Sequence, residues 1–360
     1  MAEIDDTLPN ETITDEAFVE QEVTVPNEEM EESSEGVEVT MDEEGGAQID
    51  FDPKAEGLES QDHFSNLAEI MEDKYLGELG STLFDQYTEY KESRADWENT
   101  YREGLELLGF KYERRTEPFR GASGVNHPVL AEAVTQFQAQ AYKELLPADG
   151  PVRAQILGDI SNEKQDQANR VKDFMNYQIM DQMPEYEPEF DQMLFYLPLS
   201  GSTFKKIYYD DLLGRAVSKF VPADDLIVPY SANSLEDAEA IVHVIRMSEN
   251  EIRKQQVSGF YKDVEVGNPP VTSNELKDTE LKLEGITKNS NQDQFNLLEM
   301  HVDLDLEGFE DMGQDGEPTG IKLPYIVTIL ESTNEILSIR RNYTEDDPLK
   351  EKIKYFVQFK

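Results

Sequence analysis

The residues whose types and spacing could do chemistry fall into four groups. RGASGV, from Arg120 to Val125, has the small-residue content of a phosphate loop or a nucleophile elbow. A phosphate loop needs a Lys to reach the phosphates, and here Asn126 and His127 follow the small residues. An elbow needs glycine where Val125 stands and a strand before it, where the sequence gives a charged run. The segment therefore reads as a loop feeding a helix. Asp303, Asp305, Glu307 and Gly308 imitate the opening of a calcium loop, but the twelfth position, which should be Glu, is Gln314, and Leu304 and Leu306 alternate with the acids as in a strand. The histidines, His63, His127, His243 and His301, show no ligand spacing to one another, and nothing points to a partner for a general base. The local basic clusters are Arg114, Arg115 and Arg120 on one side and Lys205 and Lys206 on the other. These five could touch a DNA phosphate backbone or a neighbouring subunit; the plainer reading is a solvated face or an inter-subunit ion pair. No catalytic constellation, metal set or cofactor motif emerges, and the expectation is a protein that is not an enzyme and binds no cofactor.

The elements that must position these residues follow from periodicity. From Asp62 the pattern is helical: Leu83, Tyr87, Tyr90, Trp97, Tyr101, Leu105 and Leu108 predict one long amphipathic helix, with Ser81 as N-cap and Gly109 as stop. A second helix should begin at Pro128, with Leu130, Val134, Phe137, Ala141 and Leu145 on one face until Pro147. A third is predicted from Ser161 to about Met183, its inner face made by Ala168, Val171, Met175 and Ile179. A fourth, short helix holds Phe190, Met193, Leu194 and Leu197 and stops at Pro198 to Gly201. Beyond Gly201 the period shifts toward two. Thr203 to Tyr209 and Ala216 to Val221 predict a hairpin joined by DDLLG, followed by strands at Leu226 to Val228 and Ile241 to Arg246. Ser248 with Glu251 is a capping-box signature for a short helix ending near Gly259. Gly267 to Gln294 reads as a loop or insertion, before strands at Phe295 to Leu306, Pro324 to Glu331, Ile336 to Tyr343 and Ile353 to Phe359.

Composition bounds the function. The 360 residues hold 77 Asp or Glu against 32 Lys or Arg, a formal net charge of −45. Residues 1 to 50 contain 18 acids and no Lys or Arg, so a net −27 remains for the other 310. Residues 1 to 60 read as a disordered acidic tail, since such sequence cannot bury enough apolar surface to order itself. The overall sign excludes an ordinary nucleic-acid binder, which displaces counterions with a basic footprint. It is also wrong for an anionic membrane surface. The absence of cysteine excludes disulfides, thiolate metal sites and a Cys nucleophile, and fits a reducing compartment. The opening MAEIDDTLPNETITDE lacks the features of a signal peptide, and the longest apolar run, LPYIVTIL from Leu323 to Leu330, is too short to span a bilayer. The fold class expected is α+β, with a helical region at 61–200 and a mainly antiparallel β region at 201–360.

Specific strings extend this reading. SRADWENTYREGLELLGF, EPFRGASGVNHPVLAEAVTQFQAQAYKELLPADGPV, LPLSGSTFKKIYYDDLLGRAVSKFVPADDLIVPY and IVHVIRMSENEIRK together resemble the portal, or head-to-tail connector, proteins of short-tailed bacteriophages, from about Arg94 onward. The resemblance implies a wing-like α+β region and a dodecameric ring of identical subunits at one capsid vertex, through which double-stranded DNA passes during packaging and ejection. It implies as partners the chain's own copies, the major capsid protein, the terminase large subunit and a tail adaptor, with no membrane. Location in the virion and assembly in the host cytoplasm follow from it. Family portals are usually longer and continue into stem, tunnel and crown, so a chain whose last strand runs to Lys360 is expected to be an N-terminal portion. An acidic adaptor or DNA mimic that covers a basic partner surface is the competing expectation, and a divalent-metal hydrolase using the acidic loop after Leu306 is a third.

Overall fold

The computed structural model describes residues 38–41, 47–50, 63–108, 119–122, 124, 127–158, 161–210, 213–267, 279, 294–313 and 317–360. The chain divides into two compact units, Met1–Ser60 and Gln61–Lys360. In the first, β1 (Glu38–Met41) pairs antiparallel with β2 (Ala47–Asp50). The remaining residues of the expected acidic tail lie outside the described ones.

The second unit is α+β, as expected. Its centre is an antiparallel sheet of five strands in the order β5 (Leu226–Ile227), β6 (Ala240–Ser248), β7 (Gln294–Leu304), β8 (Leu323–Leu330) and β9 (Ile336–Arg341). Because side chains alternate across a strand, the two faces of β6 and β7 separate cleanly. Ala240, Val242 and Val244 on β6 join Leu298, Met300 and Val302 on β7 in the main core, which is covered by α1 (Asp73–Ser93). α1 turns Leu76, Gly80, Leu83 and Tyr87 inward, at spacings of four, three and four that keep them on one helical face. On the opposite face, Phe295 and Leu297 pack with Ile252 of α6 (Glu249–Val257) and with Tyr261. α6 opens with the capping box foreseen for Ser248 and Glu251.

A second sheet has the order β10 (Phe356–Phe359), β3 (Thr203–Asp210), β4 (Arg215–Val221). The β3–β4 hairpin agrees with the sequence reading. Periodicity could not show where β10 pairs: it returns to β3, with Phe356 opposite Lys206, rather than extending the larger sheet. α5 (Tyr186–Ser200) covers one face of this smaller sheet, with Phe190, Met193 and Leu194 buried. Gly201 ends α5 in the left-handed conformation, φ 78°, the region glycine enters without strain.

The single long helix expected over Leu83 to Leu108 is instead two, α1 and α2 (Ala95–Leu108), and Ser81 lies inside α1 with its hydroxyl donating to the Gly77 carbonyl. The break falls at Arg94, where φ is −100° and ψ is 9°. Its buried guanidinium donates to the carbonyls of Ala223, Asp224 and Leu226 at 3.0, 2.7 and 3.0 Å, and its Nε donates to Glu98 at 2.8 Å. Satisfying those three carbonyls outweighs an uninterrupted helix, because an unpaired buried carbonyl costs ~1–3 kcal/mol. Gly109 lies outside the described residues. The other two helices are α3 (Val129–Leu145), with Pro128 at the N-cap, and α4 (Asn162–Tyr177), capped by Ser161 and continued by a wider turn over Gln178–Gln182.

Gly80 sets how closely α1 approaches the β8–β9 turn. A Cβ there would lie 2.4 Å from the backbone oxygen of Asn334, whose own φ is 60°. Gly80→Ala should therefore destabilise the protein by ~1–3 kcal/mol through overpacking, against the ~1 kcal/mol gain expected from helix propensity alone. Urea unfolding checks this, and a more stable variant would contradict the close approach.

Candidate functional site

The adjacent lysines of β3 point to opposite faces of its sheet, and both are enclosed. Lys205, 2% exposed, lies under α5 with its Nζ 3.8 Å from the centre of the Tyr186 ring and 5.3 Å from that of Phe190. Burial pushes this amine down to about 8, opposed in part by the carboxylates of Glu189 and Glu185. A cation over an aromatic face retains some favourable electrostatics where water is excluded.

Lys206 points the other way, toward the five-stranded sheet. Its Nζ donates to Glu299 Oε1 at 2.5 Å and Oε2 at 2.7 Å. His301 Nε2 lies 3.0 Å from the same Oε1 and donates to it, and His243 Nδ1 stands 4.0 Å away with no hydrogen-bond partner among the described residues. β-strand alternation explains the convergence. Glu299 and His301 are two apart on β7, and His243 is the direct cross-strand neighbour of Glu299 on β6. The aromatic lid comes from the small sheet: the Phe356 ring meets those of His243 and His301 edge-on at 5.6 and 5.2 Å, and Tyr355 meets His301 at 5.7 Å. Beside the cluster, Arg246 grips Asp225 with two hydrogen bonds of 2.9 and 2.6 Å.

Burial alone would raise Glu299, but the Lys206 charge and the His301 hydrogen bond overcome it and hold the carboxyl well below the usual carboxylate range. Burial pushes His243 down to about 4 and also lowers His301. At neutral pH the imidazoles are uncharged, and Lys206 and Glu299 balance each other. This joint between two sheets thus holds its charges against one another. Among the described residues no group of three His, Asp or Glu side chains could hold a metal ion.

The sequence-derived candidates thus separate. Lys205 and Lys206 form no basic surface, because each is used within the chain. Arg120 is exposed in the turn before α3. Arg114 and Arg115 lie outside the described residues. In the acidic loop after β7, Asp311 accepts from Lys350 at 2.5 Å and from Thr319 at 2.7 Å. His243, His301 and Glu299 were not foreseen as a cluster. Their signal in the sequence was their positions on adjacent strands, which becomes informative only once the register is known.

A second feature lies on the helices. The inner face expected for α4 is not inner: the helix buries no residue, and Val171, Phe174 and Met175 are about half exposed. Asn176 ties α4 down, accepting from Val152 N at 2.9 Å and donating to Val152 O at 3.2 Å beneath the left-handed Gly150. On α3 Val134 is buried, while Val129, Phe137 and Leu145 remain open. No helix among the described residues is long and apolar enough to cross a membrane. No protein-family model matches the chain, and no curated protein matches it.

The joint makes a distinction testable by mutation. Glu299→Leu leaves Lys206 buried without its counter-charge and should cost ~3–5 kcal/mol, whereas the same change combined with Lys206→Met should cost far less. A double-mutant cycle in urea would check this, and additive losses would show that the two groups do not act as a pair.

Proposed function

We propose that the chain is a portal protein, a ring-forming structural component at a capsid vertex that conducts double-stranded DNA during packaging and ejection. The observation that carries this reading is the open apolar stripe of α4. This is an amphipathic helix of 16 residues that buries nothing: Asn176 ties it to Val152, while Val171, Phe174 and Met175, on neighbouring positions, stay about half exposed among the described residues. Exposed apolar patches of this kind mark interaction sites. A closed ring provides the same cover for every copy, because a head-to-tail contact that closes by rotation places one face of each subunit against a different face of the next.

The resemblance of the GSTFKKIYYD to PADDLIVPY segment to portal proteins supports the same reading, as does the charge. A body of net −27 outside the first 50 residues suits a channel that must let DNA slide, since basic residues would attach to many phosphates at once. In this reading the α+β unit is a portal wing and functions in the virion. Its partners are its own copies, the capsid protein, the packaging terminase and a tail adaptor.

Electron microscopy of the full chain should show rings with a central hole. Val171→Asp with Phe174→Asp should abolish them while shifting the stability of the single chain by no more than ~0.5 kcal/mol, as for exposed positions in general. A wild-type chain that remains monomeric, or rings that persist in the variant, would overturn the assignment of α4 to the subunit contact.

A further inference from the structure

Most of the contact between the two sheets is apolar: Phe204 and Phe356 from the small sheet meet Leu226 and Ile241 from the large one. At its centre lies the Glu299 cluster, whose one carboxylate already receives Lys206 and His301. We propose that this cluster is an acid-released latch: protons taken up by His243 and His301 open the contact between the sheets while each sheet stays folded.

Among the described residues, the carboxylates that face the imidazoles, Glu299 and Asp225, are each already matched by a cation. β3 contributes Lys206, which is matched by Glu299 of β7. On the β6 side, Arg246 is matched by Asp225. Lys352, which also acts on His301, has Asp303 as its opposing charge. The remaining titratable neighbours among the described residues are phenols: Tyr208, whose ring centre lies 5.6 Å from Lys206 Nζ, and Tyr355 and Tyr261, which feel the charge of Glu299 and are raised further, chiefly by burial. Each imidazolium would therefore add an unbalanced positive charge inside the joint, beside Lys206.

The direction of the effect follows from linkage. In the open form the rings are hydrated and bind protons near the ordinary value of about 6.5. In the closed form burial holds His243 at about 4 and also lowers His301. The closed form thus binds fewer protons below about pH 6.5, and acid favours opening from there down to about pH 4. The opening constant should rise about tenfold per pH unit for one histidine and about a hundredfold for two. Opening need not unfold either sheet, because each has separate cover: α1 lies on the far face of the large sheet and α5 on the far face of the small one.

Amide hydrogen exchange of the full chain, read by mass spectrometry between pH 7 and pH 4 and corrected for intrinsic rates, tests the latch. The expected result is loss of protection in the β3 and β10 peptides at a pH where β8 and β9 remain protected. That loss should flatten in His243→Gln with His301→Gln. Simultaneous loss in both sheets, or an unchanged pH dependence in the variant, would overturn the proposal. Should the double variant fail to fold, exchange of the imidazole C2 protons in the wild-type chain decides. Midpoints well below 6.5 for both rings support the latch, and ordinary midpoints for both, or for His243 alone, overturn it.

Discussion

The fold of the second unit turns on one ion pair, in which the Lys206 ammonium keeps its counter-charge at the joint between two sheets. Lys206 can point into the joint only because Glu299 meets it with both carboxylate oxygens. Glu299 occupies that place only if β7 lies in one register between β6 and β8. A slip of one residue would turn Leu298 or Met300 toward the lysine and bury Glu299 under α1. The ion pair thus fixes the alignment of two sheets that apolar contact alone would allow to slide. Whether it adds net stability is secondary, since desolvation offsets most of the Coulombic attraction of a buried pair.

Similar reasoning separates the inner and outer parts of this unit. Where charge is enclosed, as at Lys205, Lys206, Arg94 and Glu299, each group has a specific partner, and the surrounding contacts are dense. The helices α3 and α4 show a different condition: α3 is anchored to α5 through Gln138 and Tyr142 and α4 to Val152 through Asn176, yet both leave apolar residues open. The first part is packed within the chain, and the second leaves apolar side chains open; in the proposed portal reading these are the rigid body and the margin that meets the next subunit.

What could be read from the sequence was what depends on neighbours along the chain. The β3–β4 hairpin, the capping box at Ser248 and the strand expected at Pro324 to Glu331 rest on local apolar patterning and local hydrogen bonding, and each formed close to its expected limits, the last as Leu323–Leu330. What escaped depends on distant residues. The helix break at Arg94 was hidden because arginine is a good helix former, and the carbonyls that bend the chain there come from Ala223 to Leu226. Two consecutive lysines read as a solvated basic cluster until a sheet with something on both faces is known. The α4 stripe was legible as apolar, but periodicity reports a face and not what covers it. The basic pair Arg114 and Arg115 falls outside the described residues, and their part in the site stays with the sequence reading alone.

The position of β10 has a consequence for the order of folding. β3 and β4 are joined by a tight turn and can pair as soon as both exist, but β10 can join β3 only after the intervening strands of the large sheet have been synthesised. Contacts of such sequence separation form slowly, because a long loop must close before they are rewarded. Until then one edge of β3 is unpaired, and Lys206 lacks the aromatic cover of Phe356. A nascent chain therefore passes through an interval with an open strand edge beside a solvated ammonium group. A charge at that edge, lysine above all, is one of the devices by which natural sheets discourage pairing with the wrong strand. The residue that aligns the finished joint would thus also guard its edge while the joint is unfinished.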